Sequence, residues 1–509
     1  MRTALSIIPA VFLTLAPLAA QPTYSPKIPP VWDDKALADW ATPLAGLKAR
    51  PTHLSAKDYY ALAIDNLRTF PVYAPGREPA GYWEKLQQLG PQPLIDPAQL
   101  KSESDWITAG QRVFDELDFI HLRTLDPKYI QEVRGATQAP SRVLPDGTLF
   151  GLRWVPTREG IALSSSNCSF CHTLYLPDST RVPGAPFRTI APRPPETFKV
   201  WPIISRVQLD KGVLVGSPPF FMLSEPIGDR LYRAYGVPWL KNDPHNKLKS
   251  ATQQDYEQLD LASRTSGGLP RWNGSILFPA KVPDLIGIKD RKYFDHTATH
   301  LHRDIGDLMR YAALVSFAES ADFGPHKMAN APTQRATARL PDEALYSLAL
   351  YLYSLTPPPN PNPKDAAANA GELLFRREGC VNCHVPPLYT NNKLTLARGF
   401  AAPKSIPKDL QVLKLSVNTD PALALQTRKG TGYYKVPSLK GLWYRGRYLH
   451  DGAAATLEEM FNPDRLLPTH VPAGFSPLGR KTRAIQGHEF GLKLSPEARA
   501  QLIAFLKTL

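Results

Sequence analysis

The chain has 509 residues, 43% of them hydrophobic and 21% charged, with a formal net charge of +14 at pH 7. This is enough apolar material for a sizeable core and two or three domains, and it argues against a disordered chain. The basic balance suits an acidic redox partner or simply solubility, but the 60 Lys and Arg residues are scattered and no nucleic-acid motif occurs, so nucleic acid is not an expected partner.

The first twenty residues, MRTALSIIPAVFLTLAPLAA, place Arg2 before an apolar run and end in small residues before Gln21, the pattern of a cleaved signal peptide over 1–20. Pro9 and Pro17 interrupt the run, which falls short of the roughly 20 apolar residues that a spanning helix needs. No second long apolar run follows, so the expectation is a periplasmic or secreted protein with no membrane span after cleavage. Residues 21–101 read as a Pro-rich N-terminal extension with one helix near 56–67.

A helix is expected at AGQRVFDEL, 109–117, and a cysteine motif, NCSFCH, follows at 167–172 only after a long insertion. With 52 Pro and 32 Gly in the chain, such insertions read as loops and short hairpins. LPDEALYSLALYLYSL, 340–355, repeats Leu345, Leu348, Ala349 and Leu352 at helical spacing. TPPPNPNPK, 356–364, is a stiff linker. A second copy of the pattern follows over 365–509. AGELLFRREGCVNCH, 370–384, runs a helix straight into a second motif, and LSPEARAQLIAFLKTL, 494–509, closes the chain with Ser495 as cap and Pro496 at the first helical position. The chain is therefore an internal repeat with unequal copies, 102–355 enlarged and 365–509 compact. The expected fold class is mainly α.

The four cysteines form two C-x-x-C pairs, Cys168 with Cys171 and Cys380 with Cys383, each followed at once by a histidine, His172 and His384. An exported chain can use four cysteines as two disulfides, but C-x-x-C-H is the attachment pattern of a c-type haem. Two thiols one helical turn apart reach the two vinyl groups on one edge of the porphyrin, and the adjacent imidazole reaches the iron. A zinc site built from four cysteines leaves both histidines unexplained, and a thioredoxin-like pair lacks its βαβ setting. Two covalently bound c-type haems are expected, and both closing helices look like those of cytochrome c domains.

The segment VPSLKGLWYRGRYLHDGAAATLEEM, 436–460, resembles a signature of the bacterial diheme cytochrome c peroxidase superfamily. That superfamily includes the enzyme that matures the quinone cofactor of methylamine dehydrogenase and the latex-degrading rubber oxygenases. With both haem motifs, both closing helices and GHEFGLKL, 487–494, the resemblance covers roughly 102–509. It implies two cytochrome c-like helical domains with long loop-rich insertions, a second haem that stores or relays an electron, and a first haem that handles the oxidant.

For the second iron, His488 resembles the axial histidine of the rubber-oxygenase branch, while Asp464 stands where the peroxidases carry an axial methionine. Met460, spaced with Leu457 and Phe461, reads as core, and His470 is a further candidate. The resemblance gives His450 a role through hydrogen bonds near the second haem, and puts Phe294 in the place of an inter-haem tryptophan with Tyr293 as its substitute. Glu319 is a candidate acid. Candidates near the first haem are Met222, Met309, Met328, His245, His296, His300, His302 and His326, with Met309 on an apolar stripe that reads as core. Three readings stay open: a peroxidase-like oxidoreductase fed by a small redox donor protein, a pure electron carrier, and an oxygenase that uses dioxygen.

Overall fold

The computed structural model describes residues 24–122, 130–131, 134, 143–187, 227–268, 274–316, 322–327 and 338–509. The leader 1–20, Met222, Glu319 and Met328 lie outside the described residues.

Two helix pairs organise the chain, and they are built alike. Helix α1 (Glu103–Glu116) opens on a capping box in which Ser102 and Asp105 satisfy each other's backbone N–H groups. It crosses α2 (Asp342–Ser354) at Gly110, where an added Cβ would lie 1.9 Å from the Ser347 carbonyl oxygen. In the second copy α3 (Ala366–Arg377) crosses α4 (Pro496–Lys507) at Gly371, where a Cβ would lie 1.9 Å from the Gln501 carbonyl oxygen. Four residues beyond each glycine an aromatic ring meets the partner helix, Phe114 on Tyr351 at 5.4 Å and Phe375 on Phe505 at 5.3 Å. The shared Ala-Gly-x-x-x-Phe pattern is thus a backbone-to-backbone crossing followed by a ring contact. As the sequence suggested, Ser495 caps α4 by accepting from the Ala498 amide at 3.2 Å.

The expectation of a mainly α fold needs correction, because the described residues also form five small sheets. The long insertion ahead of the first motif, read in the sequence as loops and short hairpins, contains a long hairpin within a four-stranded sheet among its described residues. Strands β1 (Phe70–Tyr73), β2 (Asp118–Leu122), β3 (Thr148–Thr157) and β4 (Gly160–Asn167) form an antiparallel sheet in the order β1-β3-β4-β2. β3 and β4 pair Thr157 with Gly160 across a tight turn, and Trp154 opposite Leu163, both with no exposed surface. Sheet pairing also shortens the helix expected over 56–67 to Ala56–Tyr60, since Ala63–Ile64 is drawn into a parallel pairing with Ala338–Arg339.

The largest core joins Phe114, Leu345, Leu352 and Met309 to Trp32, Trp40 and Tyr59 from the Pro-rich segment, and to Leu394 and Tyr433 from the second copy. A separate cluster of Phe375, Leu442, Leu457, Met460, Ile485 and Phe505 surrounds the second motif. Among the described residues no helix is long and apolar enough to cross a membrane.

Candidate haem sites

The first motif sits where β4 runs into a single helical turn, Cys168–Cys171. The Asn167 side chain caps that turn, accepting from the Phe170 amide at 2.8 Å, and donates to the Asp115 carbonyl at 2.7 Å, which fastens the motif to the end of α1. The His172 amide donates to the Cys168 carbonyl at 3.1 Å, so both thiols and the imidazole belong to one turn. His172 Nδ1 lies 3.1 Å from the Pro283 carbonyl oxygen. A carbonyl only accepts, so Nδ1 carries the proton and Nε2 the lone pair, the tautomer that a ligating imidazole needs.

At the second motif, Gly379 takes φ +76°, which lets α3 break directly into the turn Cys380–Asn382. The His384 amide donates to the Cys380 carbonyl at 2.8 Å, and His384 Nδ1 lies 3.1 Å from the Tyr389 carbonyl. The two motifs therefore repeat the same relation between imidazole and backbone.

Across from His384 stands His488, with ring centroids 6.3 Å apart and ring planes at 57°. Metal–imidazole bonds of about 2 Å place each ring centroid about 3 Å from the metal, so this separation leaves room for one metal ion between the rings. His488 Nδ1 is buried and has no hydrogen-bond partner among the described residues. The backbone there is unusual, with His488 at φ +50°, and one side chain holds it. Arg465 is fully buried and donates to the carbonyls of Met460 at 2.7 Å, of Gly487 and His488 at 2.9 Å each, and of Ile485. The His488 amide donates to the Val417 carbonyl at 2.6 Å.

Burial pushes His384 down to about 4, and burial with the neighbouring His384 pushes His488 down to about 4. Both imidazoles are thus neutral at pH 7, the form that binds a metal. Burial pushes the Cys380 thiol up to about 11 and raises Cys383 as well, the reverse of the depressed values in thiolate redox pairs. No disulfide joins the four cysteines, all of which are described, and among the described residues no three Cys, His, Asp or Glu side chains converge as a metal site. The four cysteines accordingly form no single zinc centre. One turn with two thiols and an imidazole, found twice, and an opposed neutral imidazole at iron spacing fit c-type haem.

The remaining candidates occupy other places. His450 is buried and stacked on Tyr434 at 4.3 Å, with its Nε2 3.2 Å from the Tyr434 hydroxyl. Phe294 stacks on Tyr311 at 4.3 Å in the main core, and the Tyr293 hydroxyl accepts from the Gln411 amide at 2.9 Å. The HTATHLH histidines spend their ring nitrogens elsewhere: His296 Nε2 on the Lys281 carbonyl, His300 on His53 and Thr299, His302 on the Arg291 carbonyl and the Tyr353 hydroxyl. His245 is fully buried between Asp243 and Ser275. Met309 and Met460 are core, His470 pairs with Glu459 at 2.9 Å, His326 packs beside Trp239, and Asp464 is exposed on a short turn. The sequence reading missed Arg465 and the carbonyls of Pro283 and Tyr389. Nothing in a sequence pattern marks a carbonyl, but Asn167, a strong capping residue just before a cysteine turn, was there to be read.

Neither a family model nor a curated protein sequence matches the chain. Among solved structures, a hydrazine synthase of Kuenenia stuttgartiensis aligns at 14% identity over 47% of this chain and 73% of that one, with a TM-score of 0.25. A MauG-like protein associated with microbial copper homeostasis aligns at 17% identity over 33% of this chain and 56% of that one, with a TM-score of 0.22.

Proposed function

We propose that this chain is an exported c-type cytochrome that holds two haems and works as an oxidoreductase, reducing hydrogen peroxide at the Cys168–His172 site with electrons relayed through the Cys380–His384 site. The observation that carries this reading is the pairing of His384 with His488 at 6.3 Å. His384 and His488 would together hold the iron of a haem bound there. Such an iron changes charge with little rearrangement and suits storage and relay of an electron, while reaction with an oxidant needs an accessible position. Contact with peroxide therefore falls to the other motif.

The haems, when bound, supply one-electron chemistry, and converting one peroxide to two waters consumes two electrons and two protons. The chain's own part is positional. Cys168 and Cys171, like Cys380 and Cys383, would hold a haem covalently, and the carbonyls of Pro283 and Tyr389 fix the tautomer of His172 and His384. Arg465 holds the His488 loop in place from behind, and the apolar cluster around Phe375, Leu457 and Phe505 keeps water from the second site. A small redox donor protein with an acidic face complements the net charge of +14.

The test is an optical and EPR titration of the purified protein with hydrogen peroxide, starting from the half-reduced state. The expected result is a spectral change at one haem together with reoxidation of the other, two electrons leaving the protein for each peroxide consumed. Two haems indifferent to peroxide in both redox states contradict the reading and leave an electron carrier.

A further inference from the structure

Between the two motifs lies a group of cations that the site as described does not use. The segment whose Pro283 carbonyl holds His172 also carries Lys281 and Arg291, and it faces Lys435 and Arg445 from the second copy. The Lys435 amide donates to the His296 carbonyl at 3.0 Å, and its ammonium to the Tyr293 carbonyl at 3.3 Å. Lys281 Nζ donates to the Arg447 carbonyl at 3.0 Å, and Arg291 donates to the carbonyls of Ile286, at 2.6 Å, and Asp284. Arg445 donates to the Ser438 carbonyl at 2.6 Å, and the Ser438 hydroxyl donates to the Leu388 carbonyl at 2.6 Å, next to the Tyr389 carbonyl that holds His384. The group is thus linked through neighbouring residues to the carbonyls that hold His172 and His384.

Within ion-pair range its charges do not balance, although Asp290, Asp295 and Asp451 act on it from farther away. Among the described residues, Asp284 is the carboxylate within ion-pair range of these four side chains, 3.8 Å from Arg445. The donors otherwise end on carbonyls, which accept hydrogen bonds without neutralising charge. Burial and then Arg445 push Lys281 down to about 7, against Asp284 and Asp451, and burial and then Arg291 push Lys435 down to about 7, against Asp295. Charge left uncompensated in a protein interior is costly. A cavity of 510 Å³ opens beside Lys281 and Arg445, bounded also by Phe187, Val282 and Trp443. The Phe187 amide donates to the Cys171 carbonyl at 3.3 Å, which ties one wall of the cavity to the first motif, while Glu458, paired with Lys507, lies on the cavity wall too.

We infer that Lys281, Lys435, Arg291 and Arg445 form one carboxylate-binding shelf between the motifs, which takes the propionate groups of the bound haems. The inference rests on the haem reading above and adds to it the residues that neutralise the cofactors and set their potentials. A propionate supplies the missing anion, and the cation beside it disfavours the ferric state, so the shelf raises the reduction potentials of the irons it serves.

The experiment uses the full-length, haem-loaded protein and its Lys281→Met, Lys435→Met, Lys281→Arg and Lys435→Arg variants. Haem content is measured by mass, and the midpoint potentials by spectroelectrochemistry with and without added phosphate or acetate. The methionine variants should keep both covalent haems while the reduction equilibrium of at least one shifts about tenfold toward the ferric form, a fall of about 59 mV for a one-electron couple. The arginine variants should restore the wild-type potential, and neither added anion should move it. Unchanged potentials in the methionine variants overturn the inference and leave the haem reading intact. Wild-type potentials that move with phosphate or acetate, in a way the methionine variants lose, also overturn it by showing that a diffusible anion fills the shelf. A wild-type chain without haem overturns both readings together.

Discussion

Among the described residues two facing pairs of buried imidazoles stand out, and about an ångström of separation divides them. In the first half His53 and His300 lie with centroids 5.2 Å apart and their Nε2 atoms 3.2 Å apart, a direct hydrogen bond. Thr299 engages the other nitrogen of His300, and Trp40 covers the pair with its ring 4.3 Å from His300 and 5.4 Å from His53. In the second half His384 and His488 are 6.3 Å apart and His488 keeps a buried nitrogen with no partner among the described residues. Rings in direct contact leave no room for an ion, although His53 Nδ1, like His488 Nδ1, is buried with no partner among the described residues. Rings held farther apart, by Arg465 on one side and the Tyr389 carbonyl on the other, leave room for a third partner.

The contrast is broken most severely at the cysteines. Replacing Cys380 and Cys383 with Ala together, or Cys168 and Cys171 together, should each remove one covalent haem, read as intact mass. An unchanged haem count in either variant removes the basis for treating the pairs as haem sites.

Arg465→Met comes next, because it strips the support from one ring of the second pair only. Leaving its carbonyl partners unsatisfied should cost roughly 3 kcal/mol in denaturant unfolding, and the haem signal of the second site should lose low-spin intensity. The crossing glycines test whether the two halves are held alike. Gly110→Ala and Gly371→Ala each force a Cβ against a carbonyl oxygen at 1.9 Å, and each should destabilise by about 2 kcal/mol. A large effect at one position and none at the other would show that the equivalence of the helix pairs is only in the sequence.

The smallest effect concerns pH and the contact pair. Burial, and then the Arg310 guanidinium, push His53 from 6.5 down to about 4. The unfolded chain takes up a proton near pH 6.5 and the folded chain resists until about pH 4, so this stabilisation is complete above pH 6.5 and is lost as the pH falls toward 4. Replacing His53 with Phe should flatten the stability profile in that window, measured as denaturant midpoint against pH.

What the sequence could show was local. The cysteine turns with their histidines, the closing helices and the Ala-Gly-x-x-x-Phe starts depend on residues a few positions apart, and α1 to α4 follow them closely. His488 entered through a family resemblance, and the structure places it opposite His384. What the sequence hid depends on residues brought together across the chain. His53 comes from the Pro-rich N-terminal extension, yet it meets His300, a difference of 247 positions. Arg465 works through carbonyls, and Lys281 gathers with Lys435 only after folding. The sheet ahead of the first motif was partly legible in the alternation of TLFGLRWVP and GIALSSS, which the abundance of Pro and Gly in the chain obscured.

The central claim, that His384 and His488 share one iron, is tested most directly by EPR of the ferric, haem-loaded protein beside its His488→Ala variant. The wild type should show a low-spin signal from a haem with two imidazole ligands, and in the variant that signal alone should convert to high spin. A low-spin signal that survives His488→Ala unchanged would contradict the claim, because the iron of the second site would then take its sixth ligand from another residue.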